Sequence, residues 1–189
     1  MPVFRTIKTV VMIIALFYLA RNGYQWQQAK EQAAEASPNL PSVVPSHLEE
    51  KSDIEAASLV FPVEQHDLSA VISAFGDARG DRLHQGIDIK AERGTAVLAV
   101  TTGFIERIKE GGKGGKQIYL RAADGRLFYY AHLDQWAVDE MEAVEAGQKI
   151  GAVGNSGNAF GASPHLHFEI LLGQEREAVD PTPYFLPHS

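Results

Sequence analysis

The chain has 189 residues, long enough for one well-buried domain with appended segments but short for two full domains. Its formal charge of −7 argues against a nucleic-acid-binding protein, because such proteins usually carry a basic surface. It contains no cysteine. Disulfides and thiolate metal sites are therefore excluded, and any metal must be bound by histidine and carboxylate side chains.

Residues 1–24 carry the pattern of a membrane anchor or a signal segment. Arg5 and Lys8 precede an apolar run over residues 9–20, and Arg21 ends that run. The run is shorter than the roughly 20 residues of a transmembrane helix, so a signal-peptide core also fits its length. No small-residue cleavage site follows, which favours an uncleaved single-pass anchor. The positive start is expected to stay in the cytoplasm and to direct the rest of the chain outward.

Residues 25–58 are predicted to connect this anchor to a folded domain over residues 59–189. The first part of the connection consists of good helix formers without an apolar stripe, which predicts a helical extension. Pro38, Pro41 and Pro45 then indicate an extended linker.

The segment from residue 59 onward predicts an all-β domain. Sixteen of the 17 glycines lie in it and separate short apolar or alternating runs, a pattern typical of many short strands rather than of βαβ units. Only residues 137–146 fit a helical turn. The predicted strands are Ala70–Phe75, Gly86–Lys90, Ala96–Val100, Gly103–Lys109, Gln117–Ala122, Arg126–His132, Lys149–Val153 and His165–Leu172.

Two of the predicted strands carry residues that could bind a metal. In the later one, His165, His167 and Glu169 alternate with apolar residues and so fall on one face. In residues 84–89, which lead into and include the earlier one, His84 and Asp88 share a parity. One histidine and one aspartate from the first strand, with one histidine from the second, would supply three nitrogen and oxygen ligands. Catalytic zinc commonly has three protein ligands and leaves its fourth position for water.

Three histidine motifs follow one another between about residues 75 and 170: His84-x-x-x-Asp88, Tyr130-Ala-His132-Leu and His165-Leu-His167-Phe-Glu. In order and spacing they resemble the LytM/lysostaphin-type zinc metallopeptidases of the cell wall. Intervening glycine-containing segments such as Gly147-Gln-Lys-Ile-Gly are similar as well. The resemblance implies a small antiparallel β-domain with a groove over the zinc.

The resemblance also implies a role for individual residues. His84, Asp88 and His167 match the ligands of one zinc ion per domain, and His132 and His165 match the two active-site histidines of that family. The implied reaction is hydrolysis of peptide bonds in peptidoglycan stems or cross-links by a zinc-bound water, assisted by the two histidines. Which of the two histidines is the general base stays open.

Two further residues bear on the substrate. Asn155 lies in a glycine-rich loop before the second motif strand and is a candidate substrate contact, although a turn residue favouring positive φ explains it equally well. Relatives that cut glycine bridges usually carry a tyrosine shortly before the first ligand. The segment between Phe75 and His84 has none, which favours a substrate other than polyglycine.

No ligand of the family pattern is missing, so the sequence predicts an enzyme, a zinc metalloendopeptidase. The alternative is a non-enzymatic envelope module that binds the wall or activates another wall hydrolase. An endopeptidase acting on an envelope protein would share the same catalytic residues. The expected location is the inner membrane, held through residues 9–20, with the catalytic domain in the periplasm. The expected partners are peptidoglycan and a regulatory envelope protein, and no nucleic acid.

Overall fold

A computed structural model describes residues 59–186. The predicted anchor and linker, residues 1–58, lie outside the described residues, and so does the end of the chain from residue 187. Between residues 59 and 186, no helix has the length and apolarity needed to cross a bilayer. The strands are β1 (Val71–Ser73), β2 (Ala78–Arg79), β3 (Arg82–Leu83), β4 (Ile87–Lys90), β5 (Ala96–Leu98), β6 (Gly103–Glu110), β7 (Lys116–Ala122), β8 (Leu127–Trp136), β9 (Ala143–Val144), β10 (Lys149–Val153), β11 (His165–Leu172) and β12 (Glu177–Val179). Single 3-10 helical turns lie at Leu68–Ala70, Gly157–Ala159 and Thr182–Phe185.

The fold is an antiparallel all-β domain, as the sequence and the resemblance predicted. Ten of the described strands form one sheet, with β1-β4-β11-β8-β7-β6-β9 as its main path. Strand β10 pairs with β5 and β8, β12 pairs with β11, and β2 and β3 form a separate hairpin. Strand β11 therefore lies between β4 and β8, and the three strands that carry the histidine motifs are neighbours.

Each of the eight predicted strands overlaps an observed strand. Strands β2, β3, β9 and β12, each of two or three residues, were not predicted.

The predicted helical turn at residues 137–146 is wrong. This segment forms turns and the short strand β9, which pairs with β6. Two of its acceptors bond to β6: Ile105 N–H donates to Glu142 O at 2.9 Å, and Ile108 N–H donates to Glu140 Oε1 at 2.8 Å. Tertiary hydrogen bonding here overrides the helix propensity of the glutamates.

The apolar face of β11 anchors the core beneath the histidines. Leu166, Phe168 and Ile170 are fully buried. The Phe168 ring packs on Tyr130 and Phe128 of β8, with centroid separations of 5.2 and 6.3 Å. Burial of a side chain of this size stabilises the fold by about 1.5–3 kcal/mol. The packing of its apolar face therefore fixes the position of the strand that carries His165 and His167.

Candidate metal centre

Strand register brings the two halves of the histidine pattern together. His167 lies directly opposite Asp88 of β4 on one side and opposite Ala131 of β8 on the other. His84 precedes β4 by three residues and is almost completely buried. Potential ligand atoms of His84, Asp88 and His167 all lie within 4.8 Å of one another. We call these three residues the metal cluster.

The first histidine of the metal cluster is oriented by the main chain. His84 Nδ1–H donates to Ala74 O at 2.8 Å. Its other nitrogen, Nε2, is thereby directed at the cluster, 3.0 Å from His167 Nδ1 and 3.2 Å from Asp88 Oδ1. A hydrogen bond of this kind to the distal nitrogen fixes both tautomer and ring orientation in metal-binding histidines.

The second histidine is oriented by a carboxylate. His167 Nε2–H donates to Glu169 Oε1 at 2.7 Å, while Nδ1 lies 2.9 Å from Asp88 Oδ1. Burial opposes charging of the His167 ring, but its hydrogen bonds and proximity to Asp88 and Glu169 prevail and raise its pKa to about 9. The pocket between these carboxylates therefore stabilises positive charge.

Arg79 binds the oxygen of Asp88 that the histidines do not contact. Its guanidinium donates to Asp88 Oδ2 at 2.6 Å and to Ser73 Oγ at 2.8 Å. Asp88 is 6% exposed, and its burial would raise the pKa of the carboxyl group. The contacts with His167, His84 and Arg79 outweigh burial and hold the pKa of Asp88 well below its usual range. Asp88 is consequently an anion whose Oδ1 atom is left to the cluster.

Two more imidazoles border the cluster. The His132 ring lies 5.1 Å from His165 and 5.9 Å from His167, measured between centroids. His132 Nδ1–H donates to Ser156 O at 2.9 Å and His165 Nδ1–H donates to Ser163 O at 2.8 Å. In its neutral form, an imidazole with one nitrogen donating keeps the other as an acceptor, so each of these rings can present Nε2 as an acceptor.

His132 is unusual in its backbone and in its protonation. Its φ angle of 61° lies in the left-handed region, which few residues other than glycine adopt. Such strain of order 1–3 kcal/mol is found mainly where surrounding contacts impose it at functional sites. Burial lowers the pKa of the ring to about 4, so the ring is neutral at neutral pH.

The metal cluster suits zinc by its donor chemistry. Two imidazole nitrogens and one carboxylate oxygen converge in a largely buried pocket, and zinc is commonly held by three such ligands in catalytic sites. Each of the three side chains has an outer partner that fixes its orientation, namely Ala74 O, Glu169 or Arg79.

Asn155, the candidate substrate contact, has other partners. Its side chain receives a hydrogen bond from Arg93 and donates one to Ala162 O at 3.1 Å. Among the described residues, the groove beside the metal cluster is lined by Asn158 and not by Asn155. Nor does Asn155 belong to the described residues with positive φ, which was the alternative explanation. A substrate contact at Asn155 stays a prediction.

Sequence reasoning missed two residues of the site, Arg79 and Glu169. Glu169 lies two residues after His167 and was predicted to share its face of the strand. This spacing could have predicted the contact between the two side chains. Arg79 carried no signal, because its contact depends on how the β2–β3 hairpin folds against β4.

Comparison with known proteins identifies the family of the chain. Residues 82–181 match the sequence profile of Peptidase family M23. The chain is 33% identical over 143 residues to an L-Ala--D-Glu endopeptidase of Bacillus subtilis, covering 69% of this chain and 44% of that protein. It is 36% identical over 115 residues to the murein hydrolase activator NlpD of Escherichia coli, covering 60% of this chain and 28% of that protein. The chain thus spans less than half the length of these two curated relatives.

The fold has a close counterpart among solved structures. The catalytic domain of lysostaphin from Staphylococcus simulans superposes with a TM-score of 0.55 at 32% identity, over 60% of this chain and 89% of that domain. The resemblance inferred from the histidine motifs is thereby confirmed. The profile match covers more than half of the chain, and the chain belongs to peptidase family M23 of the LytM/lysostaphin type.

Proposed function

We propose that this chain is a zinc-dependent endopeptidase that hydrolyses peptide bonds in peptidoglycan stems or cross-links. One observation carries the proposal: the metal cluster is bordered by His132 and His165. Each has its Nδ1–H bound to a main-chain carbonyl, and within residues 59–186 its Nε2 has no hydrogen-bond partner. A purely structural metal site has no need of a second pair of imidazoles with unused lone pairs. A hydrolytic site needs them to move protons.

Three residues would bind the metal and two would transfer protons. His84, Asp88 and His167 would hold zinc, which when bound supplies Lewis acidity toward water and the scissile carbonyl. His132 and His165 border that position from β8 and β11. One imidazole accepts the proton of the attacking water. The proton for the leaving amine comes from an imidazolium, which carries either that same proton or one taken up from solvent.

The test uses the zinc-loaded full-length protein incubated with purified peptidoglycan, with released fragments identified by mass spectrometry. We expect new peptide termini with the wild type and none with His165→Ala. His132→Ala is expected to keep stoichiometric zinc and lose most turnover, whereas His167→Ala should lose both. Normal turnover of His132→Ala would contradict its role in proton transfer, and stoichiometric zinc in His167→Ala would contradict the ligand assignment.

A non-enzymatic activator is the second candidate, supported by the similarity to the relative named a murein hydrolase activator. An activator would release no fragments alone but would accelerate a separate wall hydrolase added to the same peptidoglycan. His132→Ala and His165→Ala would leave that acceleration unchanged, which distinguishes this candidate from the endopeptidase.

The proposed location of the peptidase domain is the periplasm. The apolar run over residues 9–20 supports attachment to the inner membrane with the peptidase domain in the periplasm. Protease treatment of spheroplasts tests this placement, since the domain should be degraded without lysis if it is periplasmic.

A further inference from the structure

The groove beside the metal cluster contains more positive charge than its own acidic groups neutralise. Its charged lining comprises Arg79, Arg82, Asp88, Lys113 and Glu169 in addition to the histidines. Asp88 is paired with Arg79 at 2.6 Å, and Glu169 is paired with His167 at 2.7 Å. Within residues 59–186, neither Arg82 nor Lys113 forms an ion pair. Two cationic side chains are thus left over in a protein whose formal charge is −7.

The loop that presents Lys113 is fixed against the catalytic strand. Asn158 N–H donates to Lys113 O at 2.9 Å, and His132 N–H donates to Gly114 O at 2.9 Å. A Cβ at Gly114 would lie 2.1 Å from the Tyr129 hydroxyl and 2.8 Å from Gln117 Cδ, so a larger residue would require these side chains to shift. The backbone of Lys113 is therefore held at a set position next to His132.

Arg82 is presented from the other side of β11. It lies on β3, two residues before His84, in a hairpin that the Arg79–Asp88 ion pair ties to the metal cluster. Arg79 and Arg82 are directly opposite each other across the hairpin. Asp88 neutralises the charge of Arg79, so Arg82 is the cation of this hairpin that has no ion pair among the described residues.

These placements specify the charge of the ligand. Lys113 enters the groove from the β6–β7 loop and Arg82 from β3, so one cation lies on each side of the strand that carries His165 and His167. We infer that Arg82 and Lys113 form a carboxylate-binding subsite, which selects peptides with a free carboxylate near the scissile bond over neutral peptides. The inference rests on the proposed function and names its substrate class, anionic stem peptides.

The test compares one substrate in two charge states. Purified peptidoglycan is divided, and one half is coupled to ammonium with a carbodiimide, so that its carboxylates become neutral amides. Zinc-loaded full-length wild type is expected to release fragments about 10- to 100-fold more slowly from the amidated half, the range of a charged hydrogen bond. The double variant Arg82→Gln/Lys113→Gln should be slow on both halves and nearly insensitive to amidation.

The chain offers a matched control. Arg107 and Lys109 are exposed on β6 outside the groove, so Arg107→Gln/Lys109→Gln removes the same two charges elsewhere. The control should behave as the wild type does. Equal wild-type rates on the two halves, or a control that loses discrimination as the groove variant does, would overturn the inference.

A binding measurement separates this inference from the proposed function. Co-sedimentation of the same proteins with the two insoluble wall preparations should retain the wild type on the unmodified wall more strongly than on the amidated wall, with the difference reduced in the groove variant. No cleavage together with carboxylate-dependent sedimentation would refute the endopeptidase but support the subsite. Sedimentation independent of amidation would refute the subsite whatever the cleavage result.

Discussion

Gly86 lies between two members of the metal cluster, and its lack of a side chain allows β4 to approach β11. A Cβ at this position would meet Phe168 O at 2.2 Å and Glu169 Cγ at 2.9 Å. Real Cβ atoms essentially never come within 3.0 Å of such neighbours. In Gly86→Ala the distance from the new Cβ to the Phe168 carbonyl oxygen would be about 0.8 Å shorter than this limit. The main chain of one strand has to move, because the carbonyl cannot rotate away without losing its place in the sheet.

This displacement acts on the ligands directly. Asp88 is two residues from Gly86, and it lies opposite His167 in the β4–β11 register. We expect overpacking to lower the free energy of unfolding by about 1–3 kcal/mol. We also expect zinc affinity to fall by at least about tenfold, since even the loss of a partner outside the ligand set costs about 10–100-fold.

The assays are chelator competition for zinc affinity and chemical denaturation of the metal-free protein for stability. Gln85→Ala changes the exposed neighbouring residue and should leave both quantities unchanged. A Gly86→Ala protein with wild-type zinc affinity and wild-type stability would refute the reasoning. It would mean that the two strands absorb a methyl group without moving Asp88 relative to His167.

Two other substitutions test single contacts. Arg79→Gln removes the charged partner of Asp88 Oδ2, and chelator competition should show zinc affinity lowered by about 10–100-fold. Arg82→Gln, on the same hairpin, should leave zinc affinity unchanged. Equal zinc affinities in the two variants would exclude an orienting role for Arg79. Tyr130→Phe removes the hydroxyl that accepts a hydrogen bond from the buried Val100 N–H at 3.1 Å. Its free energy of unfolding should fall by about 1–3 kcal/mol in denaturant titrations, and an unchanged value would show that Val100 finds another acceptor.

Local sequence determined eight of the twelve described strands and the face that each histidine of β11 occupies. In β11, Leu166, Phe168 and Ile170 are fully buried, whereas His165 and His167 lie on the opposite, partly exposed face, as their alternation predicted. This succeeds because side-chain direction in a strand depends only on residue parity. The composition was equally decisive, since a chain without cysteine has only histidine and carboxylate side chains for a zinc site.

The tertiary structure decided what depends on contacts between distant segments. Asp88 and His167 are 79 positions apart, and only the β4–β11 register makes their side chains neighbours. The positive φ of His132 falls at a register shift between β7 and β8, where Ile118 lies opposite Tyr130 but Lys116 lies opposite Leu133, so that β8 has one extra residue. Arg79 reaches Asp88 through a two-stranded hairpin too short to show periodicity. Parity is a property of one strand, whereas register, strain and ion pairing are properties of strands packed together, and sequence periodicity contains no information on them.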